Sequence, residues 1–156
     1  MEHADVPAVA HADAQALAVG LLAASRALVD GISSGVRARG FGDLRPAHGF
    51  AFTRLAAGGA TITQLAEHLD VTRQAAAQLA DELVAKGYVT RQPHPADARA
   101  RLLTLTEKGW ACTRAAEAAT TDTVRSWAVA LGESRLRALR DDLARIAPHG
   151  PLRPTW

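Results

Sequence analysis

A short stretch of the sequence carries residues suited to hydrogen bonding with nucleic-acid bases. Residues 72–86 have helical periodicity, and counting 100° per residue gives them one apolar face made of Ala76, Leu79, Ala80 and Leu83. The opposite face is polar near its start and acidic only later, and its first residues are Arg73, Gln74, Ala77 and Gln78. In the major groove of DNA, glutamine can pair with adenine and arginine with guanine through two hydrogen bonds. This face therefore favours contact with base edges.

A second short helix is predicted just before this one, over residues 61–69. Thr61 is followed three residues later by Gln64, the spacing of a capping box at a helix start. Thr72 is a good cap for the next helix, and Gly87 is a typical end. Two short helices joined by about three residues form a candidate helix-turn-helix, whose second helix presents its first residues to the major groove. Two amphipathic helices of an ordinary bundle would give the same pattern.

Two runs rich in aliphatic residues and threonine follow Gly87, at residues 88–91 and 102–105, and predict a β-hairpin with a long Pro-His-Pro loop. The hairpin is basic, because its sequence contains one acidic residue, Asp97, and the basic residues Arg91, His94, Arg99 and Arg101. A basic hairpin beside a helix-turn-helix is typical of a wing that contacts phosphates or enters the minor groove. A solvated salt bridge at the loop tip is the alternative for Asp97 and Arg99.

The flanking sequence predicts the helices that position these elements. A long first helix begins near residue 12, after an alanine-rich leader, and ends at a break formed by Gly40 and Gly42. Gly31 and Gly35 are interpreted as its weakened end, with close helix packing as the alternative. Further helices are expected over 46–57, over 107–131, and from a Ser134 cap to residue 147, before a proline-rich tail. The fold class is mainly α with one small hairpin.

Composition and charge set limits on the partners. The chain of 156 residues fits one domain, and its aromatic share of 4% suggests a thin core that a partner subunit completes. The formal charge is only +2. Residues 61–105 hold five basic and five acidic residues, so DNA binding requires the cations to be gathered on one surface.

Several other classes of protein find no support in the sequence. It has no glycine-rich phosphate loop, HExxH or GxSxG motif, so neither an enzyme nor a cofactor is expected. The six histidines are scattered, so no metal site is expected. The single cysteine, Cys112, fits a reducing compartment, and the absence of a basic leader and the short uncharged run at 14–25 favour a cytoplasmic protein without membrane contact.

Residues 62–109 resemble the MarR (multiple antibiotic resistance regulator) family of winged helix-turn-helix transcription factors. The resemblance lies in the combination of Leu65-Ala66, Gly87-Tyr88-Val89, Asp97-x-Arg99 and Leu105-Thr106-x-x-Gly109. It implies a DNA-binding lobe over 46–105 and dimerisation helices over 12–40 and 107–147. It also implies a homodimer that binds a pseudo-palindromic operator in double-stranded DNA and represses transcription until a small ligand or an oxidant releases it.

The resemblance carries over to particular residues. Those expected at the DNA are Thr61, Thr63, Thr72, Arg73, Gln74, Ala77, Gln78, Arg91, His94, Asp97, Arg99 and Arg101. Those expected at the dimer interface are Leu17, Leu21, Leu139, Leu143 and Ile146, and those expected in a ligand pocket are Phe50, Phe52 and Trp110. Many members have Thr-Arg where this chain has Ala77-Gln78, and the missing cation lowers the expected nonspecific affinity.

Three alternatives stay open at this point. A winged helix can serve protein contacts without binding DNA. A regulator can instead sense a metal, although no two histidines share helical spacing here. It can also sense an oxidant, but members of that type place the reactive cysteine near the start of the first helix, and this chain has none there.

Overall fold

The computed structural model describes residues 10–147, which form six helices and one two-stranded antiparallel sheet. The elements are α1 (His11–Ala38), α2 (Pro46–Ala56), α3 (Ile62–Leu69), α4 (Arg73–Ala85), β1 (Val89–His94), β2 (Asp97–Leu105), α5 (Glu107–Leu131) and α6 (Glu133–Ile146). This arrangement is the predicted winged helix-turn-helix with long helices on either side. The predicted proline-rich tail and most of the predicted leader lie outside the described residues.

The core lies between the helix-turn-helix and the hairpin. Tyr88 is fully buried, and the rings of Phe41 and Phe52 contact it at centroid distances of 6.2 and 5.7 Å. Its hydroxyl donates to Asp43 Oδ1 over 2.7 Å, which holds the pKa of that carboxyl below its usual value. The ammonium of Lys108 lies 4.1 Å from the centre of the same ring. Tyr88 therefore fixes the start of the hairpin to the loop before α2.

The hairpin is longer and its turn tighter than the sequence indicated. Strand β1 extends over Pro93 and His94 of the Pro-His-Pro segment, β2 begins already at Asp97, and Pro95 and Ala96 form the turn. Pro93 pairs with Arg101 although proline has no N–H to donate, and the register shifts directly after it. On the other edge of β2, Leu103 exchanges two backbone hydrogen bonds with Ala60, which ties the hairpin to the segment before α3.

Helices α1 and α5 pack closely through small residues. A Cβ added to Gly35 would lie 2.6 Å from Ala119 Cβ, and one added to Gly31 would lie 2.7 Å from Thr123 Cγ2. The interpretation of these glycines as a weakened helix end is therefore wrong, because they allow the two helices to approach. A salt bridge of 2.6 Å between Arg39 and Asp122 joins the same pair of helices further along.

The junction of α5 and α6 also differs from the prediction. Gly132, with a φ of +81°, both ends α5 and begins α6, so Ser134 lies inside the first turn and is not the cap. A positive φ of this kind suits glycine because it has no Cβ.

Much of the apolar surface of α1 and α6 is left uncovered by residues 10–147. The exposed fraction is 63% for Leu17 and 71% for Ile146, and Leu21, Leu139 and Leu143 are also exposed. By length and composition alone, α1 could also cross a membrane, which the short uncharged run at 14–25 did not indicate. Its second half, however, packs against α5, as the Gly31 and Gly35 contacts show.

Candidate nucleic-acid interface

The helix-turn-helix is built by local capping interactions. Thr61 Oγ1 accepts a hydrogen bond from the N–H of Gln64, and Gln64 Oε1 accepts one from the N–H of Thr61, which is the predicted capping box. Asp70 ends α3 in the left-handed conformation, with a φ of +53°. Thr72 Oγ1 then accepts from the N–H of Ala75 and caps α4. The turn between the helices is therefore fixed at both ends.

The second helix of the pair, α4, exposes the face that the sequence singled out. Ala76, Ala80 and Leu83 are buried, and Leu79 is half-buried against them. Thr72, Arg73, Gln74 and Gln78 are exposed, Ala77 is half-buried, and the first turn holds no acidic residue. Thr61 and Thr63 are half-buried at the start of α3. Amide and guanidinium groups thus occupy the end of α4 that enters a groove in proteins of this type.

The tip of the wing is ordered by Asp97. Its Oδ1 accepts a hydrogen bond of 2.9 Å from the N–H of Arg99, and His94 Nδ1 accepts one of 3.2 Å from the N–H of Ala96. Asp97 therefore holds the backbone of Arg99 and forms no salt bridge within residues 10–147, so its orientation of an arginine side chain stays a prediction. The guanidinium of Arg99 stays available to a partner.

The side chain of Arg91 is paired with an acidic residue of the same chain. It forms a salt bridge with Asp81 of α4, so the wing and the helix are joined by opposite charges. Arg91 pairs with Leu103 across the hairpin, and Arg101 lies two residues from Leu103, so both arginines share the hairpin face that continues from the core. That face is turned toward α4, as the Asp81 contact shows.

The charges of the lobe are segregated by these pairings. Asp81 is neutralised by Arg91, and Glu82 is drawn toward the start of α2 by a 2.5 Å contact with Arg45. In the part of the chain that the structure describes, Arg73, Arg99 and Arg101 form no salt bridge. Residues 61–105 have no net charge, yet within the described chain they present three arginines without a salt bridge.

Sequence analysis missed a cluster formed by Arg45, His48 and Glu82, in which the histidine is buried and the two charged side chains are partly exposed. The side chain of His48 is fully buried, and its Nε2 lies 3.1 Å from Glu82 Oε2. Burial lowers the pKa of His48 despite the hydrogen bond with Glu82, and the hydrogen bonds from Arg45 and then from His48 lower the pKa of Glu82. Arg45 and His48 lie 37 and 34 positions before Glu82 in the sequence, so no local pattern could have revealed the cluster.

A cavity of about 250 Å³ lies between α1, α2 and α5. Phe50 and Phe52 line it as predicted, whereas Trp110 does not line it and is substantially exposed. The walls are mostly apolar, with Arg37 and Arg45 as the charged residues among them. Cys112 also lines the cavity, and burial raises the pKa of its thiol to about 11, so the thiolate needed for oxidant sensing is scarce at neutral pH.

Replacing Arg99 with alanine should weaken binding to all DNA sequences alike. An exposed guanidinium at the wing tip suits phosphates, and each neutralised phosphate adds to the salt dependence of binding. We expect the slope of log affinity against log salt to become shallower by about one. Fluorescence anisotropy at several salt concentrations measures this slope. An unaltered slope would exclude Arg99 as a backbone contact.

The fold and this surface define the class of protein: a winged helix-turn-helix regulator of transcription. Residues 43–100 match the model of the MarR family, and this match includes most of the stretch that carries the resemblance. No curated protein sequence matches the chain.

Solved structures share this fold over most of the chain. The transcriptional repressor CouR, bound to a 23-mer DNA duplex, is 25% identical, with a TM-score of 0.71 over 92% of this chain and 100% of that one. Wild-type MarR from E. coli in its apo form is 21% identical, with a TM-score of 0.66 over 91% and 100%. Sco3205 from Streptomyces coelicolor, a MarR family regulator in complex with DNA, is 21% identical, with a TM-score of 0.67 over 92% and 91%.

Proposed function

We propose that the protein is a repressor that binds a pseudo-palindromic operator as a homodimer and responds to a small ligand. The observation that carries this proposal is the exposed surface of α4 and the wing, where Arg73, Gln74, Gln78, Arg99 and Arg101 face outward without acidic partners. Glutamine and arginine on α4 suit base edges, and the wing arginines suit phosphates or the minor groove. The DNA-bound structures of CouR and Sco3205 support the same use of this fold.

The uncovered leucines of α1 and α6 support the homodimer. Exposed apolar surface on α1 and α6, both of which contact α5, marks a place for association, and a two-fold axis would bring identical patches together. A dimer would also place two copies of α4 in position to read half-sites about one helical turn apart, roughly 10 base pairs.

The cavity supports the response to a ligand. It is apolar, lies beside α1 and α5, and is bounded by the start of α2, which contacts α4 through Arg45 and Glu82. A molecule in the cavity would therefore touch both the helices proposed for dimerisation and a residue that holds the recognition helix. Phe50 and Phe52 would provide the apolar contacts.

The central test is fluorescence anisotropy of the purified protein with duplexes tiled from its own upstream region and with a scrambled duplex, at two salt concentrations. We expect one or a few tiles to bind tightly with a steep salt dependence, and the scrambled duplex to bind weakly. A variant with Arg73 and Gln78 both changed to alanine should lose the difference between tile and scramble. Dimerisation without affinity for any tile would instead favour a winged helix used for protein contacts.

Placing charge on α6 should separate the protomers. We expect the Leu139→Glu, Leu143→Glu double variant to shift the mass in light scattering from twice the 16.4 kDa of the chain to a single copy. Operator affinity should fall with it, because a monomer reads only one half-site. The control is Ala57→Glu, which adds charge at an exposed position after α2. A wild-type protein that is monomeric at micromolar concentration would contradict the proposed two-fold reading.

A further inference from the structure

The ring of His48 is held in one protonation state by its surroundings. Its Nδ1 accepts a hydrogen bond of 2.9 Å from the backbone N–H of Arg45, and its Nε2 lies 3.1 Å from Glu82 Oε2. A neutral imidazole has one donor and one acceptor, so this pairing requires the hydrogen on Nε2. A second proton on Nδ1 would face the N–H of Arg45, and two donors repel. The side chain has no exposure to water that could relieve the conflict.

The charges facing His48 come from α4 and from the start of α2. Glu82 of α4 favours the protonated ring, whereas Arg45 and Lys86 oppose it. Glu82 is already shared, because its Oε2 also accepts from the guanidinium of Arg45 over 2.5 Å. Desolvation is the largest influence and lowers the pKa of His48 from the ordinary value of 6.5. Neutral His48 is therefore the form that fits the closed cluster.

The cluster connects the two parts of the molecule that matter for the proposed function. Arg45 caps α2 and lines the cavity, while Glu82 lies on α4 one turn beyond Gln78. His48 sits between them and is the N3 residue of α2, where it accepts the N–H of the capping residue. Loss of this hydrogen bond would loosen the first turn of α2. It would also weaken the contact between His48 and Glu82.

We propose that His48 is a positioning residue that makes the hold of α4 on DNA sensitive to acid: a proton taken up at Nδ1 breaks the Arg45 bond, frees the start of α2 and weakens operator binding. The inference rests on the proposed DNA binding. Release of α4 is coupled to the uptake of one proton, so operator affinity can change by at most about tenfold per pH unit. The loss should occur below pH 6.5, because burial lowers the pKa of His48 from that ordinary value and the closed cluster excludes the proton until the pH has fallen further.

Helix α3 of the same chain shows which side chain without a titratable group can take the place of His48. In α3, Gln64 at the same N3 position accepts the N–H of Thr61 through its Oε1 over 2.9 Å. In His48→Gln, the amide oxygen can accept the N–H of Arg45 in the same way, and the amide NH₂ can donate to Glu82. This variant should keep the fold and operator binding at pH 7.5.

The test measures operator affinity by anisotropy at pH 7.5, 6.5 and 5.5 and constant ionic strength. We expect the affinity of the wild type, relative to that of His48→Gln, to fall by about threefold to tenfold between pH 7.5 and 5.5. Effects of pH on the DNA and on the rest of the protein are common to both proteins, so the ratio of affinities removes them. His68→Gln is the matched control, since it deletes a histidine of α3 outside the cluster and should keep the wild-type profile.

The outcomes separate this inference from the proposed function. Selective binding with the same pH profile in wild type and His48→Gln would overturn the inference and leave the DNA-binding proposal intact. Absence of selective binding by folded wild-type protein at pH 7.5 would overturn both. Circular dichroism at each pH shows whether the variants are folded, and a His48→Gln protein that unfolds at pH 7.5 would contradict the capping argument.

Discussion

Gly35→Ala should lower the free energy of unfolding by about 1 to 3 kcal/mol, although alanine is the better helix former. The added methyl would lie 2.6 Å from Ala119 Cβ and 3.3 Å from Ala119 Cα. The second of these atoms is backbone, so a rotamer change cannot relieve the contact, and α1 and α5 must move apart. Because α1 also carries the proposed dimer surface, operator affinity should decline as well.

The matched control for this variant is Gly49→Ala in α2. Nothing lies within 4 Å of a Cβ added at Gly49, and the residue is exposed within a helix. There the substitution should be neutral or stabilise by up to about 1 kcal/mol through helix propensity. Urea denaturation followed by circular dichroism measures the free energy of unfolding of both variants. All samples are kept at one protein concentration, because the proposed dimerisation would contribute to stability. Equal effects at both positions would show that α1 and α5 do not approach as closely as described.

Gln78→Ala should cost about 1 to 3 kcal/mol of discrimination at one base pair, roughly 5- to 150-fold in affinity. Gln78 is exposed on the side of α4 that we propose to face the groove, where its amide could both donate to and accept from an adenine. The variant should bind the operator less tightly and should also become indifferent to the identity of one base pair. Anisotropy with operators substituted at each position measures both properties.

The same substitution elsewhere in the lobe gives the control. Gln92 is exposed on β1 and pairs with Leu102, so it lies on the hairpin face opposite to Arg91 and Leu103. Gln92→Ala should leave base preference unchanged. Unchanged affinity of Gln78→Ala for both operator and scrambled DNA would reject a base contact by Gln78.

Local signals explain why most helices were predictable. Thr61, Thr72 and Thr106 each cap a helix through the hydroxyl, as threonine before a periodic stretch indicates. Proline at the start of α2 is equally local. The hairpin was recognised but its strands were predicted too short, because Pro93 suggests a loop and is tolerated here only by an irregular register. The start of α6 was misplaced because Gly132 serves two helices.

Features that depend on distant partners were not predictable. The role of Gly31 and Gly35 depends on α5, whose residues Ala119 and Thr123 lie more than 80 positions away. The cluster around His48 depends on Glu82 in the same way. Trp110 was assigned to the cavity by its apolar character alone, which cannot tell which side of α5 faces inward. The predicted DNA contacts remain predictions for the experiments above.

The salt bridge between Arg91 and Asp81 has a consequence for how the protein would search a genome. With one wing cation neutralised, few positive charges remain to hold the protein on DNA of arbitrary sequence. Contacts between cationic side chains and phosphates supply most of the nonspecific affinity of DNA-binding proteins. Residence on nonspecific DNA would be brief, and transfer would occur through solution more than by sliding. Occupancy of an operator would then follow the cellular concentration of free dimer closely, so modest changes in expression would alter regulation directly.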